Sequence, residues 1–119
     1  NHMHCQGFVR TQQFPIEDKG WSHNGGENRY PLRVKRFFDV EDSWAHITSL
    51  LQQDVAFNCL YRHNGCYVIT RKYQGSVDLP EWLSGAGWLD VAGVITVSEE
   101  QIFNEIDADT VSRALSLLA

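Results

Sequence analysis

The spacing of apolar residues predicts an amphipathic helix over residues 39–53. Asp39 stands where its side chain can accept hydrogen bonds from the first free N–H groups, so we expect the helix to begin there. His46 lies outside the apolar positions and is expected near the surface. The apolar residues that recur at the spacing of one helix face are Val40, Trp44, Ile47 and Leu51, with Leu50 beside them.

Residues 55–73 predict a β-hairpin, because two runs rich in β-branched and aromatic residues flank the dipeptide Asn64-Gly65. Asn-Gly is the strongest short hairpin signal, since both central residues of the preferred turn adopt positive φ. With this dipeptide at the centre of the turn, Cys59 and Cys66 lie well apart along the two strands. We therefore expect no disulfide between these two cysteines.

The remaining apolar segments predict further strands and two short helices near the end of the chain. Because strands and helices both occur and the strands do not alternate regularly with helices, the expected class is α+β. We expect a mixed or mainly antiparallel sheet of about four to five strands, with the helices packed on one face. The further strands are residues 8–11, 32–38 and 91–97, and the helices are residues 99–105 and a segment beginning at Asp107 or Asp109.

The length and composition are those of one globular domain. The chain has 119 residues, of which 43% are hydrophobic and 21% charged, which suits a domain with its own core. We interpret residues 1–2 as a cloning remnant before Met3 and residues 3–119 as a single α+β domain. No apolar run approaches the roughly 20 residues of a membrane span. Without a secretory signal, we expect a cytoplasmic protein.

Cysteine and histidine positions predict neither a metal site nor a cofactor. Three cysteines with no C-x-x-C pair do not form a zinc motif or a disulfide framework. No two histidines have the helical spacing of a metal pair. Cys66, expected opposite His63, is the better candidate for a reactive thiol, because imidazole favours the thiolate. The alternative is that both hairpin cysteines are small buried apolar residues.

Charge is distributed unevenly along the chain, which has a net charge of −5. Residues 1–38 contain six Lys/Arg and three Asp/Glu, whereas residues 39–119 contain four Lys/Arg and twelve Asp/Glu. An acidic chain is a poor candidate for binding nucleic acid, which depends on a basic surface. It suits a basic protein partner, because opposite fields steer association. The alternative is that the acids serve only solubility.

The acidic later half supplies the first functional hypothesis, a non-enzymatic protein that binds a basic partner. An immunity or antitoxin-like inhibitor of a toxin enzyme has this profile. Carboxylates would pair with Lys or Arg of the target while a tryptophan fills a pocket, as in an interface with an aromatic anchor and a charged rim. The candidate partner-binding residues are Trp82, Trp88, Glu99, Glu100, Asp107 and Asp109.

The loop over residues 21–30 supplies the alternative, a small enzyme or a small-molecule-binding domain. His23 and Glu27 could act as a base and its orienting carboxylate, and Arg29 could bind an anion. This hypothesis predicts a pocket beneath the loop. No motif fixes the geometry of the three residues, so a solvated polar loop is the simpler interpretation. A third possibility is a subunit whose apolar helix face is buried in an oligomer.

Overall fold

The described part of the chain, residues 4–119 of a computed structural model, has an α+β fold with a three-stranded antiparallel sheet and four α-helices. The predicted class and the antiparallel pairing are confirmed, but the sheet has fewer strands than the four to five expected. Residues 1–2 and Met3 lie outside the described residues. In chain order the elements are β1 (Arg33–Phe37), α1 (Val40–Gln52), β2 (Phe57–Arg62), β3 (Gly65–Thr70), α2 (Trp88–Val91), α3 (Glu100–Glu105) and α4 (Ala108–Ser116).

The strand order β1-β3-β2 places β3 in the centre and gives the sheet two different faces. The face that we call the core face packs against the largest apolar cluster, which includes Leu115 and Leu118 of the C-terminal region. The opposite face, which we call the α1 face, packs against α1. Helices therefore cover both faces, and the expectation that they share one face is wrong. The core face presents Val34, Leu60, Tyr67 and Ile69, and the α1 face presents Phe37, Cys59, Cys66 and Val68.

Helix α1 begins as predicted but is rotated about its axis relative to the expectation. The Asp39 side chain accepts hydrogen bonds from the backbone of the first turn and caps the helix. The residues that the helix buries are Ser43, Ile47 and Leu50. Ser43 can lie inside because its hydroxyl donates to the Val40 carbonyl at 2.8 Å. Most of the predicted apolar stripe, Val40, Trp44 and Leu51, is exposed.

The hairpin is confirmed, but its register differs by two residues from the predicted one. Arg62 pairs with Gly65, so His63 and Asn64 form the turn. Gly65 has φ +147°, and a Cβ there would stand 2.3 Å from the Phe37 carbonyl oxygen. The glycine therefore permits the close approach of β1, and its position does not mark the centre of the turn.

Two of the predicted strands, residues 8–11 and 91–97, are not strands in the structure. Val91 completes α2, and the backbone turns at Gly93, which has φ +96°. A Cβ at Gly93 would lie 2.6 Å from the Pro15 side chain, so the turn also allows close packing. The Ala92 carbonyl accepts a hydrogen bond from the Ile16 N–H at 3.1 Å. The β-branched run thus supports the core face without joining the sheet.

None of the helices within residues 4–119 combines the length and the apolar character that crossing a membrane requires.

Candidate functional site

Two polar side chains of the loop over residues 21–30, those of His23 and Asn24, hold the backbone of the preceding turn. His23 Nε2–H donates to the Ile16 carbonyl at 2.7 Å, and its ring lies edge-on to Tyr67. Asn24 donates to the same carbonyl at 2.9 Å and accepts from the Tyr67 hydroxyl at 3.1 Å. Burial lowers the pKa of His23, with a smaller opposing effect of the hydrogen bond to Ile16, and Arg36 lowers it further. His23 is thus a neutral structural group.

The structure does not bring the three candidate catalytic residues of this loop together. Glu27 and Arg29 are exposed, whereas His23 is half-buried. Within residues 4–119, no hydrogen bond or ion pair joins His23 to either of them. Two surface cavities, of about 640 and 360 Å³, border residues 8–18 with 93–95 and residues 54–56 with 70–73. Neither of these cavities lies beneath the loop.

A buried carboxylate is the most unusual charged group on the core-face side. The Glu17 side chain is fully buried, and it forms ion pairs with Arg10 and Arg62. The Phe14 N–H also donates to Glu17 Oε2 at 2.7 Å. A buried charge requires such partners, because it has lost its hydration. The cluster joins the N-terminal segment to the end of β2, and a buried carboxylate held between two arginines is suited to a structural role.

The two candidate tryptophans are half-buried against the main core. The Trp88 ring packs against Phe14 with ring centroids 6.0 Å apart, and its Nε1–H donates to the Gln6 side chain. Trp82 also packs on the core cluster. Rings that already have such contacts offer a partner less surface than a fully exposed ring would, and the assignment of Trp82 and Trp88 to an interface stays a prediction.

The candidate carboxylates, in contrast, lie on the surface. We define the acidic segment as residues 99–109, which carry five carboxylates and no Lys or Arg. The ion pairs found within residues 4–119 involve Glu17 and none of these carboxylates, although Arg113 lies near enough to Asp107 to lower its pKa. Asp107 caps α4, and hydrogen bonds from Thr110 lower its pKa. The exposed members are Glu99, Glu100, Glu105, Asp107 and Asp109.

An exposed phenylalanine lies in the middle of the acidic segment. Phe103 is 73% exposed on α3, a six-residue helix that buries no side chain. Sequence reasoning missed this residue because it assigned the aromatic role to the tryptophans. The available signal was a large apolar side chain in a short helix whose other apolar positions are Ile102 and the adjoining Ile106. Phe103 and its surrounding carboxylates form an aromatic centre with a charged rim.

The hairpin cysteines lie close together on the α1 face, contrary to the predicted separation. Tyr61 pairs with Cys66 and Cys59 with Val68, so the two cysteines are diagonal neighbours. A hydrogen bond from the Cys66 thiol lowers the pKa of Cys59, although burial partly opposes this effect. The same bond raises the pKa of Cys66. His63 lies in the turn and is not opposite Cys66, which pairs with Tyr61, and Cys59 is the more exposed of the two hairpin thiols.

Within residues 4–119, no three His, Cys, Asp or Glu side chains are grouped closely enough to hold a metal ion. Comparisons with protein-family models, with curated proteins and with solved structures found no match to this chain. The function must therefore be inferred from the surface chemistry.

Proposed function

We propose that the protein binds a basic protein partner through the acidic segment, with Phe103 as its aromatic anchor. The observation that carries this proposal is the exposure of Phe103 among five carboxylates that form no ion pair within residues 4–119. Desolvated aromatic side chains supply much of the affinity of protein interfaces. Unpaired charges around them steer an oppositely charged partner and increase the association rate.

The weak internal support of α3 fits this role. A helix of six residues is not stable alone in water, and α3 buries none of its side chains. Packing of Phe103 and the half-buried Ile102 against a partner would supply the missing burial. The class of protein that we propose is an inhibitor, immunity or antitoxin-like, that acts in the cytoplasm by covering the basic substrate-binding surface of a toxin enzyme.

The alternative site in loop 21–30 has less support, because His23 already donates a hydrogen bond to the Ile16 carbonyl. Within residues 4–119, it forms no hydrogen bond or ion pair with Glu27 or Arg29. A catalytic base must be within reach of both its proton and its orienting group. With Nε2–H bound to the Ile16 carbonyl, only Nδ1 of His23 could accept a proton, and no carboxylate of the loop contacts the ring to orient it.

The test compares two variants with the same change in net charge. In one, Glu99, Glu100 and Glu105 of the acidic segment become Gln; in the other, the exposed Glu27, Glu41 and Glu81 become Gln. Asp107 is left unchanged because it caps α4. Proteins retained by the wild type from a lysate of the source organism at low salt are identified, purified and assayed individually for association kinetics.

For a genuine partner, we expect the first variant to associate about tenfold more slowly at low salt, and the second to associate nearly as fast as the wild type. Phe103→Ser should weaken binding at least about tenfold, mainly by faster dissociation. The proposal is wrong if no purified protein distinguishes the two charge variants, or if Phe103→Ser binds as tightly as the wild type.

A further inference from the structure

The rotation of α1 leaves a line of large apolar side chains in solvent. Val40 is 75% exposed, Trp44 58% and Leu51 59%. Trp44 follows Val40 by four residues and Leu51 follows it by eleven. Both spacings return to the same side of a helix, so the three residues form one row along three turns. We call these three residues the α1 stripe. Its members neither belong to the acidic segment nor contribute to the proposed function.

The α1 stripe lies on the side of the helix that points toward β2. Around the helix, the buried residues Ile47 and Leu50 separate the stripe from His46, whose ring contacts Phe37 of β1 at 5.4 Å between centroids. Because β3 lies between β1 and β2, the flank opposite His46 points toward β2. There the α1 face presents Tyr61, which is 60% exposed. The stripe and Tyr61 thus border the same uncovered part of the sheet.

The size of this apolar surface is typical of an interface. Together the α1 stripe and Tyr61 expose on the order of 500 Å², near the upper end of apolar patches on monomeric proteins. With a polar rim, two such surfaces in contact bury roughly 1,200 Å², the lower limit of specific protein interfaces. A weak but specific association is the expected consequence.

The chemistry of α1 favours a second copy of this chain as the occupant. The helix has no Lys or Arg, which excludes the cationic polar face that holds amphipathic helices on anionic membranes. It also offers no charge pattern that would select a charged peptide, since its acids Glu41 and Asp42 lie at one end. The acidic segment, whose like charges would repel between copies, is separate from this surface.

We infer that the protein forms a weak homodimer in which two α1 helices pack antiparallel about a two-fold axis. The midpoint between Val40 and Leu51 falls at Ala45–His46. An axis passing there brings Val40 of each copy against Leu51 of the other and places the two Trp44 rings near the centre. Such an isologous interface closes on itself and produces a dimer and not a fibre.

Sedimentation equilibrium from about 1 to 500 µM protein tests this inference, because weak dimers dissociate within micromolar to millimolar concentrations. The wild type should shift from one chain to two as concentration rises. Trp44→Glu should raise the dissociation constant at least about tenfold. Phe103→Glu is the matched control: it adds the same charge at an aromatic residue of α3 that is also mostly exposed, and it should dimerise like the wild type.

A second experiment tests the antiparallel arrangement. Val40→Lys and Leu51→Glu should each dimerise more weakly than the wild type, because each places two charges in the apolar interface. An equimolar mixture should form mixed dimers at least about tenfold tighter than either variant alone, since one Lys–Glu contact and one Val–Leu contact then form. All substituted side chains are exposed, and thermal unfolding verifies that the variants remain folded.

A wild type that remains a single chain at 500 µM would overturn the inference, and the stripe would then be a binding surface for a different protein. A dimer that persists in Trp44→Glu would equally contradict it. A dimer lost in Trp44→Glu but not restored by mixing the Lys and Glu variants would refute the antiparallel pairing. None of these outcomes bears on the acidic segment, so the two proposals stand or fall separately.

Discussion

The two faces of the sheet are covered very differently. On the core face, side chains of β1, β2 and β3 meet a cluster that includes the N-terminal turn, α2 and α4. On the α1 face, the buried cluster has only four members, Ile47, Leu50, Cys66 and Val68, and large apolar side chains beside them remain in solvent. The first face is a closed core, and the second is half of an interface.

The difference follows from the width of the elements. A helix with its side chains is about 10 Å wide, whereas three strands spaced about 4.8 Å apart, with their own side chains, span about 14 Å. One helix can therefore bury Cys66 and Val68 of β3 but leaves Phe57 and Cys59 of β2 only partly covered and Tyr61 exposed. Several short segments can fit the core face piece by piece. Coverage thus depends on the number of covering elements more than on the composition of the strands.

The largest expected effect compares one leucine from each face. Leu115→Ala, in α4, should lower the free energy of unfolding by about 4 kcal/mol, because a cavity remains in a closed core. Leu50→Ala, in α1, should cost about 2 kcal/mol, because the neighbouring side chains can relax toward solvent. Both changes occur within helices, so helix propensity affects them equally. Urea unfolding measures the difference, and equal losses would show that the two faces are equally closed.

The next effect concerns the charge buried on the core-face side. Glu17→Gln should lower the free energy of unfolding by about 3 kcal/mol, because Arg10 and Arg62 lose the carboxylate that neutralises them. Glu27→Gln, at an exposed position without partners, should change it by less than about 0.5 kcal/mol. Denaturant unfolding of both variants decides the matter. A similar small change in both would mean that the cluster contributes no stability.

The smallest expected effect is a difference between the alkylation rates of Cys59 and Cys66, which measures the solvent access of the α1 face beside β2. Because the pKa of Cys59 is lowered, its thiolate fraction at neutral pH exceeds that of an ordinary thiol, whereas the raised pKa of Cys66 keeps that thiol protonated. Iodoacetamide should therefore modify Cys59 at lower pH, and at least about tenfold faster, than Cys66, which is buried beneath α1. Mass spectrometry of digests measures both rates, with the exposed Cys5 as reference.

The Cys66→Ala variant isolates the cause of this reactivity. It removes the hydrogen bond that lowers the pKa of Cys59, so alkylation of Cys59 near neutral pH should slow even though access increases. Faster alkylation in this variant would show that access, and not the neighbouring thiol, governs the rate.

The sequence predicted the elements that depend on local signals. The cap at Asp39 fixed the start of α1 within one residue, and the two β-rich runs fixed the hairpin. Long-range contacts decided the rest. The sequence places Gly65 at the centre of the turn. In the structure Gly65 is the first residue of β3, where only a glycine allows the close approach of the Phe37 carbonyl. The apolar spacing of α1 allowed two neighbouring rows that share Ile47, and only the sheet beneath could select between them.

The negative charge of the candidate site was predictable from the sequence, but the exposure of Phe103 was not. The exposure of the carboxylates in residues 99–109 could be predicted for two reasons. Many acidic residues are close together there, and several of them stand at helix N-termini, where a negative charge is favourable. Whether a given aromatic residue is buried depends on which segments reach it. Trp88 packs against Phe14, which is far away in the chain, whereas Phe103 has no ring contact within residues 4–119 and is largely exposed. No local pattern distinguishes these two cases.

The ion cluster at Glu17 also sets an order for the assembly of the chain. Arg62 lies at the end of β2 beside the turn, so it takes its place only when the hairpin has formed. A carboxylate buried earlier would lack one of its two arginines and would be strongly disfavoured. We therefore expect residues 10–17 to dock after the hairpin has formed. Detachment of this segment would remove Phe14 from the core and uncover Trp88.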